Sequence, residues 1–299
     1  MNLIERIEDY GHRSYWRWKY RQLQQWSRQL RGTIFQNGIP AYWWNERSNF
    51  GDLLTPALLY SYDYTPIHST NFVPSESSHN LPIVKFVGVG SILHQVHPNY
   101  SGIILGTGFI REEQQMIFPN AKILAVRGEL TKERIQCREN IVLGDPGLLA
   151  YRFFKTKPAK KHLMGIVPNH MEMLDLKNLL KQKKYDSRLK FINPMRSLNT
   201  VLRDIVRCEY IVSSSLHGLI IADALGIPNA WLKLTDKVIG GAFKFNDYYS
   251  ALGVTKQSHC FSGDEKLETL LESASVPPPT VSKRQEELHH LFAKLKEFF

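Results

Sequence analysis

His217 stands in the stretch YIVSSSLHGLIIADALGIP, residues 210–228. An apolar run, Tyr210 to Val212, meets three serines, Ser213, Ser214 and Ser215, and His217 and Gly218 then open an apolar helical segment. Gly226 and Pro228 close that segment as a C-terminal glycine and a following proline do. The pattern places an imidazole, which titrates near neutrality, at a helix start. There the first N–H groups are unpaired and the helix dipole favours negative charge. The chemistry expected is proton transfer by His217 next to a bound anion. Ser214, Ser215, Leu216 and Gly218 would supply hydroxyls and backbone N–H groups to the substrate. The ordinary alternative is a histidine that merely caps its helix.

Further candidates lie on turns that follow short apolar runs. The loop NERSNFGDLLTP carries Asn49 and Asp52. Asp52 reads as a catalytic carboxylate in a crevice or, equally, as the N-cap of a helix from about Leu53 to Tyr60. The turn GVGS ends in Gly90 and Ser91, GTG spans 106–108, Arg127 and Gly128 follow the run 122–126, and GDPG contains Asp145. Lys244 lies among aromatics in GGAFKFNDYYSALG, a segment expected to cap a cleft. None of the glycine turns completes GxGxxG or a P-loop, and no close His/Cys/Asp cluster has metal-ligand spacing.

These turns need strands to hold them. Runs at Ile39–Trp44, Pro82–Gly88, Ile103–Leu105, Lys122–Val126 and Ile141–Leu143 read as short buried strands, with residues 63–82 as an irregular excursion. A second series follows: His162–Val167, Leu189–Ile192, Tyr210–Val212 and Asn229–Leu232, with helices at Met173–Lys181 and Leu198–Cys208 between. Strands alternating with helices predict parallel α/β sheets. The basic stretch 155–162 reads as a linker between an N-terminal α/β domain (1–155) and a C-terminal one (160–299), whose strand ends face a cleft. Ser282 and Gln285 form a capping-box pattern before a C-terminal helix striped by Leu288, Leu291, Leu295 and Phe298.

The 299 residues suffice for two cores, and a formal charge of +10 calls for an acidic partner. The three cysteines are widely spaced and read as reduced thiols of a cytoplasmic protein. Neither a signal peptide nor an 18-residue apolar span is visible. Residues 12–45 hold no acid, and within them basic residues alternate with Trp16, Tyr20 and Trp26 at helical spacing. Residues 12–31 thus suit an anionic membrane surface at the inner face of the plasma membrane, or a helix packed on its own domain. No nucleic-acid fold signature accompanies them.

The ordered set NFGD, GVGS, GTGF, VRGELT, GDPG and SSSLHGLIIADALGIP, over roughly residues 40–250, resembles the polysaccharide pyruvyltransferase family, and most nearly its bacterial exopolysaccharide branch. The resemblance implies two Rossmann-like domains in a GT-B-like arrangement. It implies transfer of a pyruvyl group from phosphoenolpyruvate, as co-substrate, onto a sugar of a lipid-linked oligosaccharide to form a ketal, with no metal or other cofactor. It implies that Arg127 binds phosphoenolpyruvate and that His217 is a general acid or a donor to substrate. Some members carry arginine just before Leu-His-Gly where this chain has Ser215, so Lys244 or Lys233 is the candidate replacement cation. The N-terminal domain would take the acceptor and the C-terminal domain phosphoenolpyruvate. Two other readings are a GT-B glycosyltransferase using a nucleotide sugar and a non-catalytic basic module that docks on membranes.

Overall fold

A computed structural model describes residues 38–74, 82–182, 187–262 and 265–299. The basic aromatic segment 12–31 lies outside these residues. Six parallel strands form the first sheet: β1 (Gly38–Tyr42), β2 (Thr65–His68), β3 (Phe86–Val87), β4 (Ile103–Leu105), β5 (Lys122–Val126) and β6 (Val142–Leu143). Their spatial order is β2-β1-β3-β4-β5-β6. Five parallel strands form the second: β7 (His162–Val167), β8 (Leu189–Phe191), β9 (Cys208–Ser213), β10 (Asn229–Lys233) and β11 (His259–Cys260), in the order β8-β7-β9-β10-β11. The α/β class expected from the alternating pattern is thus observed, with two parallel sheets. Buried β4 is apolar throughout, as a strand covered on both faces must be.

Both sheets have the same winding. In each, the second strand in sequence flanks the first on one side and the third flanks it on the other. The order reverses between β1 and β3 in the first sheet and between β7 and β9 in the second. Loops leaving the carboxyl ends of strands that flank such a reversal diverge and open a crevice. The four loops concerned begin after Tyr42, Val87, Val167 and Ser213.

Two expectations need correcting. The stretch 63–82 is not wholly irregular: β2 pairs in parallel with β1, Thr65 opposite Gly38. Its half-buried sequence TPIH has no strand pattern of its own, and the pairing comes from β1 at the sheet edge. The final helix starts at Thr280 behind Pro279 with no side-chain cap, so Ser282 and Gln285 make no capping box. Instead Gln285 Nε2 donates to the carbonyls of Leu148 and Ala224.

The helices are α1 (Leu54–Ser61), α2 (Glu129–Arg134), α3 (Met173–Gln182), α4 (Leu198–Val206), α5 (Leu216–Ala224), α6 (Phe243–Leu252), α7 (Leu267–Ser273) and α8 (Thr280–Ala293). Every residue of α5 is buried, and all but His217 and Asp223 are apolar. It packs on the 3-10 helix Pro146–Phe153 that follows β6, and one hydrophobic core runs from Ala41 and Leu54 through Leu148 and Ile220 to Val167 and Leu202. Helices α6 and α8, which follow β10 in sequence, pack against α2 and β6 of the first series. At Gly128 a β-carbon would stand 1.7 Å from the carbonyl oxygen of Asp247, so α6 is seated directly on the start of α2.

Candidate active site

The loop after β1 holds Asn49 and Asp52. Asn49 Nδ2 donates to Asp52 Oδ2 at 2.7 Å, and Asn49 Oδ1 accepts from the Gly51 amide. Asp52 does not cap α1; Leu53 is the N-cap and no side chain bonds there. Its carboxyl is instead buried, and burial pushes it up to about 7, against the Asn49 donor and the positive Lys244. The same loop is tied across to the second sheet. The Phe50 amide donates to Pro194 O at 3.0 Å, and Ser48 Oγ donates to Met195 O at 2.8 Å.

The turn after β3 brings Gly90 and Ser91. Gly90 has φ +120°, open to glycine far more than to other residues, and its carbonyl accepts from Thr107 Oγ1. Ser91 Oγ accepts from Arg127 Nη1. Arg127, at the end of β5, has no exposed surface. Its Nε donates to Asp247 Oδ2 at 2.8 Å and its Nη2 to Phe109 O. Asp247 also accepts from the amide and hydroxyl of Thr131 at 2.8 and 2.6 Å. The guanidinium is thus fixed by α6.

On the second sheet, Ser215 is the N-cap of α5 without a side-chain bond, leaving the first N–H groups of the helix uncapped. Ser214 Oγ donates to Glu172 Oε2 at 2.5 Å, and Glu172 Oε1 accepts from the amide and hydroxyl of Thr235. Ser214 is therefore committed to holding the turn. Leu216 points into the core, and Gly218 is required by space, since a β-carbon there would lie 2.3 Å from Ser213 Oγ. The His217 ring keeps 8% exposure. Burial, then the charges of Arg127 and Lys244, hold it down to about 3, so the ring is neutral at physiological pH. Its Nε2 lies 3.8 Å from Asp145 Oδ2. Its Nδ1 lies over Gly51, where a β-carbon would come within 2.1 Å.

Asp145 caps the 3-10 helix through Oδ1, which accepts from the Gly147 amide at 2.8 Å. It is fully buried, and burial lifts it to about 7 despite Gly147 and Arg127, with Asp247 adding to the rise. Lys244, on the first turn of α6, is buried to 8% exposure and has no hydrogen-bond partner among the described residues. Burial and the neighbouring Arg127 lower it to about 8, while Asp52 and Glu172 oppose that fall. Lys233, the other candidate cation, is half exposed and paired with Asp236.

The structure therefore gathers Asp52, Arg127, Asp145, His217 and Lys244 into one mutually interacting group, built from the ends of both sheets and from α6. Sequence reasoning passed over Asp247, Glu172 and Gly51 as functional residues. Asp247 had one available signal: it sits one helical turn from Lys244 and therefore shares its face.

Two desolvated carboxyls have a cost that can be measured. The folded state raises Asp52 above its unfolded value near 3.8. Its contribution is therefore favourable at low pH and is lost as pH rises through about 7. Asp52→Asn should raise the melting temperature at pH 8, where an ionised carboxylate would have to stay buried, and have little effect at pH 4. A pH-independent change in thermal melts would count against this assignment.

Residues 49–234 match the family model for polysaccharide pyruvyl transferase. The uncharacterized protein L143 of Acanthamoeba polyphaga mimivirus is 31% identical over 58% of this chain, and the chain spans 62% of that relative's length. The succinoglycan biosynthesis protein ExoV of Rhizobium meliloti (strain 1021) is 27% identical over 79% of this chain and 71% of its own length. The matched stretch runs from Asn49, in the loop after β1, past the loops after β3, β7 and β9 and the start of α5, and covers more than half of the sequence. On that match the chain belongs to the polysaccharide pyruvyl transferase family.

Proposed function

We propose that the protein transfers a pyruvyl group from phosphoenolpyruvate onto two hydroxyls of a glycan sugar, forming a ketal during exopolysaccharide or cell-surface glycan synthesis. Phosphoenolpyruvate is the co-substrate and the acceptor is a lipid-linked oligosaccharide. The observation that carries this reading is Lys244: a largely buried cation with no hydrogen bond or ion pair among the described residues, within electrostatic reach of Arg127 and of His217 on the first turn of α5. An unpaired buried ammonium is costly, and an anion entering the site would compensate it. Phosphoenolpyruvate carries two anionic groups, suited to two cations and a helix N-terminus. Lys244 then takes the role that the chain's serine at 215 cannot fill.

The reaction needs a proton delivered to the methylene carbon and protons removed from two hydroxyls. One released proton replaces the proton given to carbon, and the other leaves with phosphate. Asp52, held near neutral pH, is suited to give the proton to the methylene carbon. The resulting cationic carbon is attacked by the first hydroxyl oxygen while neutral His217 takes that hydroxyl's proton. The bond to the phosphate oxygen breaks with its electron pair, and the second hydroxyl closes the ring. No helix among the described residues is long and apolar enough to cross a membrane. An acceptor carried by lipid would be met at the membrane surface by a peripherally bound protein.

The test is phosphate release from phosphoenolpyruvate in the presence of lipid-linked oligosaccharide, with acid-labile pyruvate appearing on the glycan. His217→Ala should lower turnover by about 100-fold or more. Consumption of a nucleotide sugar without phosphate release would overturn the proposal, and near-normal turnover in His217→Ala would remove that residue from it.

A further inference from the structure

We infer that Asp145 is a positioning residue that works through His217, exchanging one proton with it so that the imidazole acts as acid and base without becoming an imidazolium. This rests on the transferase reading for its purpose, although not for its test. The geometry is specific. His217 Nε2 and Asp145 Oδ2 are both buried and both lack a hydrogen-bond partner among the described residues, and they lie 3.8 Å apart. Two unpartnered buried polar atoms facing each other over so short a gap are costly unless a proton passes between them. The remaining oxygen of Asp145 is engaged by the Gly147 amide, which fixes the carboxyl plane.

The surrounding charges decide where positive charge can reside. His217 feels Arg127 from the end of β5 and Lys244 from α6, while the packed loop residues Phe50 and Gly51 contribute no charge. A cationic ring would meet two like charges in a desolvated space. Asp145 feels Arg127 as well, with Asp247 opposing, and the Tyr248 hydroxyl nearby is held neutral by burial. The pair consequently has two low-cost forms. In the basic form Asp145 is ionised, Nε2 carries hydrogen and Nδ1 offers a lone pair. In the acidic form Asp145 carries hydrogen toward Nε2, and Nδ1 carries hydrogen.

Conversion of one form to the other is balanced. As the acceptor oxygen bonds to the substrate carbon, its proton passes to Nδ1, and the Nε2 proton passes to Asp145 Oδ2. A lone pair of the acceptor oxygen forms the new C–O bond, the O–H electron pair stays on that oxygen as the proton leaves, and the ring is neutral before and after. The reverse transfer returns the proton from Nδ1 to an acceptor such as departing phosphate. Nδ1 is the nitrogen left for substrate, and only a glycine at 51 fits against it, since a β-carbon there would come within 2.1 Å.

The test is nitrogen NMR of the full chain with ¹⁵N-labelled histidine, free of substrate. On raising the pH from 5 to 9, the two His217 nitrogens should exchange character. Nδ1 goes from pyrrole-like to pyridine-like and Nε2 does the opposite, with a midpoint at the Asp145 value of about 7. Asp145→Asn should abolish the exchange and leave one tautomer throughout, and Asp145→Glu should restore an exchange at a shifted midpoint. In turnover, Asp145→Asn should remove the limb that rises with pH near 7, leave the limb that falls with ionisation of Asp52, and lower kcat more than KM. The inference is overturned if both nitrogens become pyrrole-like together as pH falls to 5, if the tautomer is constant in the unmodified protein, or if the exchange persists in Asp145→Asn. The unmodified titration suffices should the variants not fold. A tautomer exchange in a protein that releases no phosphate would sink the transferase reading while sustaining this one.

Discussion

Replacing Arg127 with alanine should abolish measurable turnover and lower the thermal midpoint by several degrees. The two losses have different sources. Arg127 and Asp247 are both fully buried, and their 2.8 Å ion pair is supplemented by bonds to Ser91 and Phe109. Removing one member leaves the Asp247 carboxylate buried with only Thr131 as donor, a situation that costs roughly 3–5 kcal/mol. On the proposed function, the activity loss, on the order of 100-fold or more, comes from removing a buried positive charge beside His217 and Lys244. Lysine at 127 should not rescue it, because an ammonium cannot reproduce the three directions in which the guanidinium donates. The two effects separate in Arg127→Met combined with Asp247→Asn. This variant should regain stability relative to Arg127→Ala, since no buried charge is left alone, and remain inactive. Steady-state assays beside thermal melts decide the matter, and a double variant regaining both would show that Arg127 is structural only.

Adding a single methyl group at Gly51 should be nearly as harmful to catalysis as deleting the imidazole. The β-carbon of Gly51→Ala would lie 2.1 Å from His217 Nδ1 and 2.6 Å from its Cγ. The ring cannot retreat cheaply, because Phe50 packs edge-on at 6.5 Å and Asp145 stands behind Nε2 at 3.8 Å. The loop cannot retreat either, since the Phe50 amide is bonded to Pro194 O. Overpacking of this kind costs about 1–3 kcal/mol and displaces Nδ1, the nitrogen proposed to meet substrate. We expect turnover to fall by roughly 100-fold with the chain still folded. In the His217→Ala background the same substitution should cost almost nothing further, because both changes disable one group. Independent, additive losses would show that Gly51 serves something other than the imidazole.

The parts of the fold legible in the sequence were those whose cause is local. Strands β4, β5 and β7 announced themselves as short, mostly apolar runs ending in glycine or polar turns, and β4, buried along its whole length, has no polar alternation to confuse it. Strand β2 was not visible, since TPIH owes its pairing to β1 rather than to its own composition. The start of α8 was misplaced because Pro279 fixes the entry to the helix and frees Gln285 to bind two carbonyls. The site followed the same rule. Asn49 and Asp52 stand in a polar turn and His217 on the first turn of a helix, all near glycines, where residue type alone suggests chemistry. The partnership of Arg127 with Asp247 spans 120 residues and has no local trace. Nor does any local pattern reveal that Asp52 bonds to Asn49 instead of capping α1, a choice made by the crevice around it.

The seating of α6 on the start of α2 also has a consequence for how the molecule is made. Arg127 emerges from the ribosome 120 residues ahead of the carboxylate that will hold it. At 5–20 residues per second the guanidinium waits roughly 6–24 s without its buried partner. Over that interval it must stay hydrated, and the nascent first sheet cannot seal around it. Only when Lys244 and Asp247 arrive, on one turn of one helix, does the chain gain its second cation and fix its first. The cluster of Asp52, Arg127, Asp145, His217 and Lys244 is therefore completed late in synthesis, although its first three members lie in the first half of the chain.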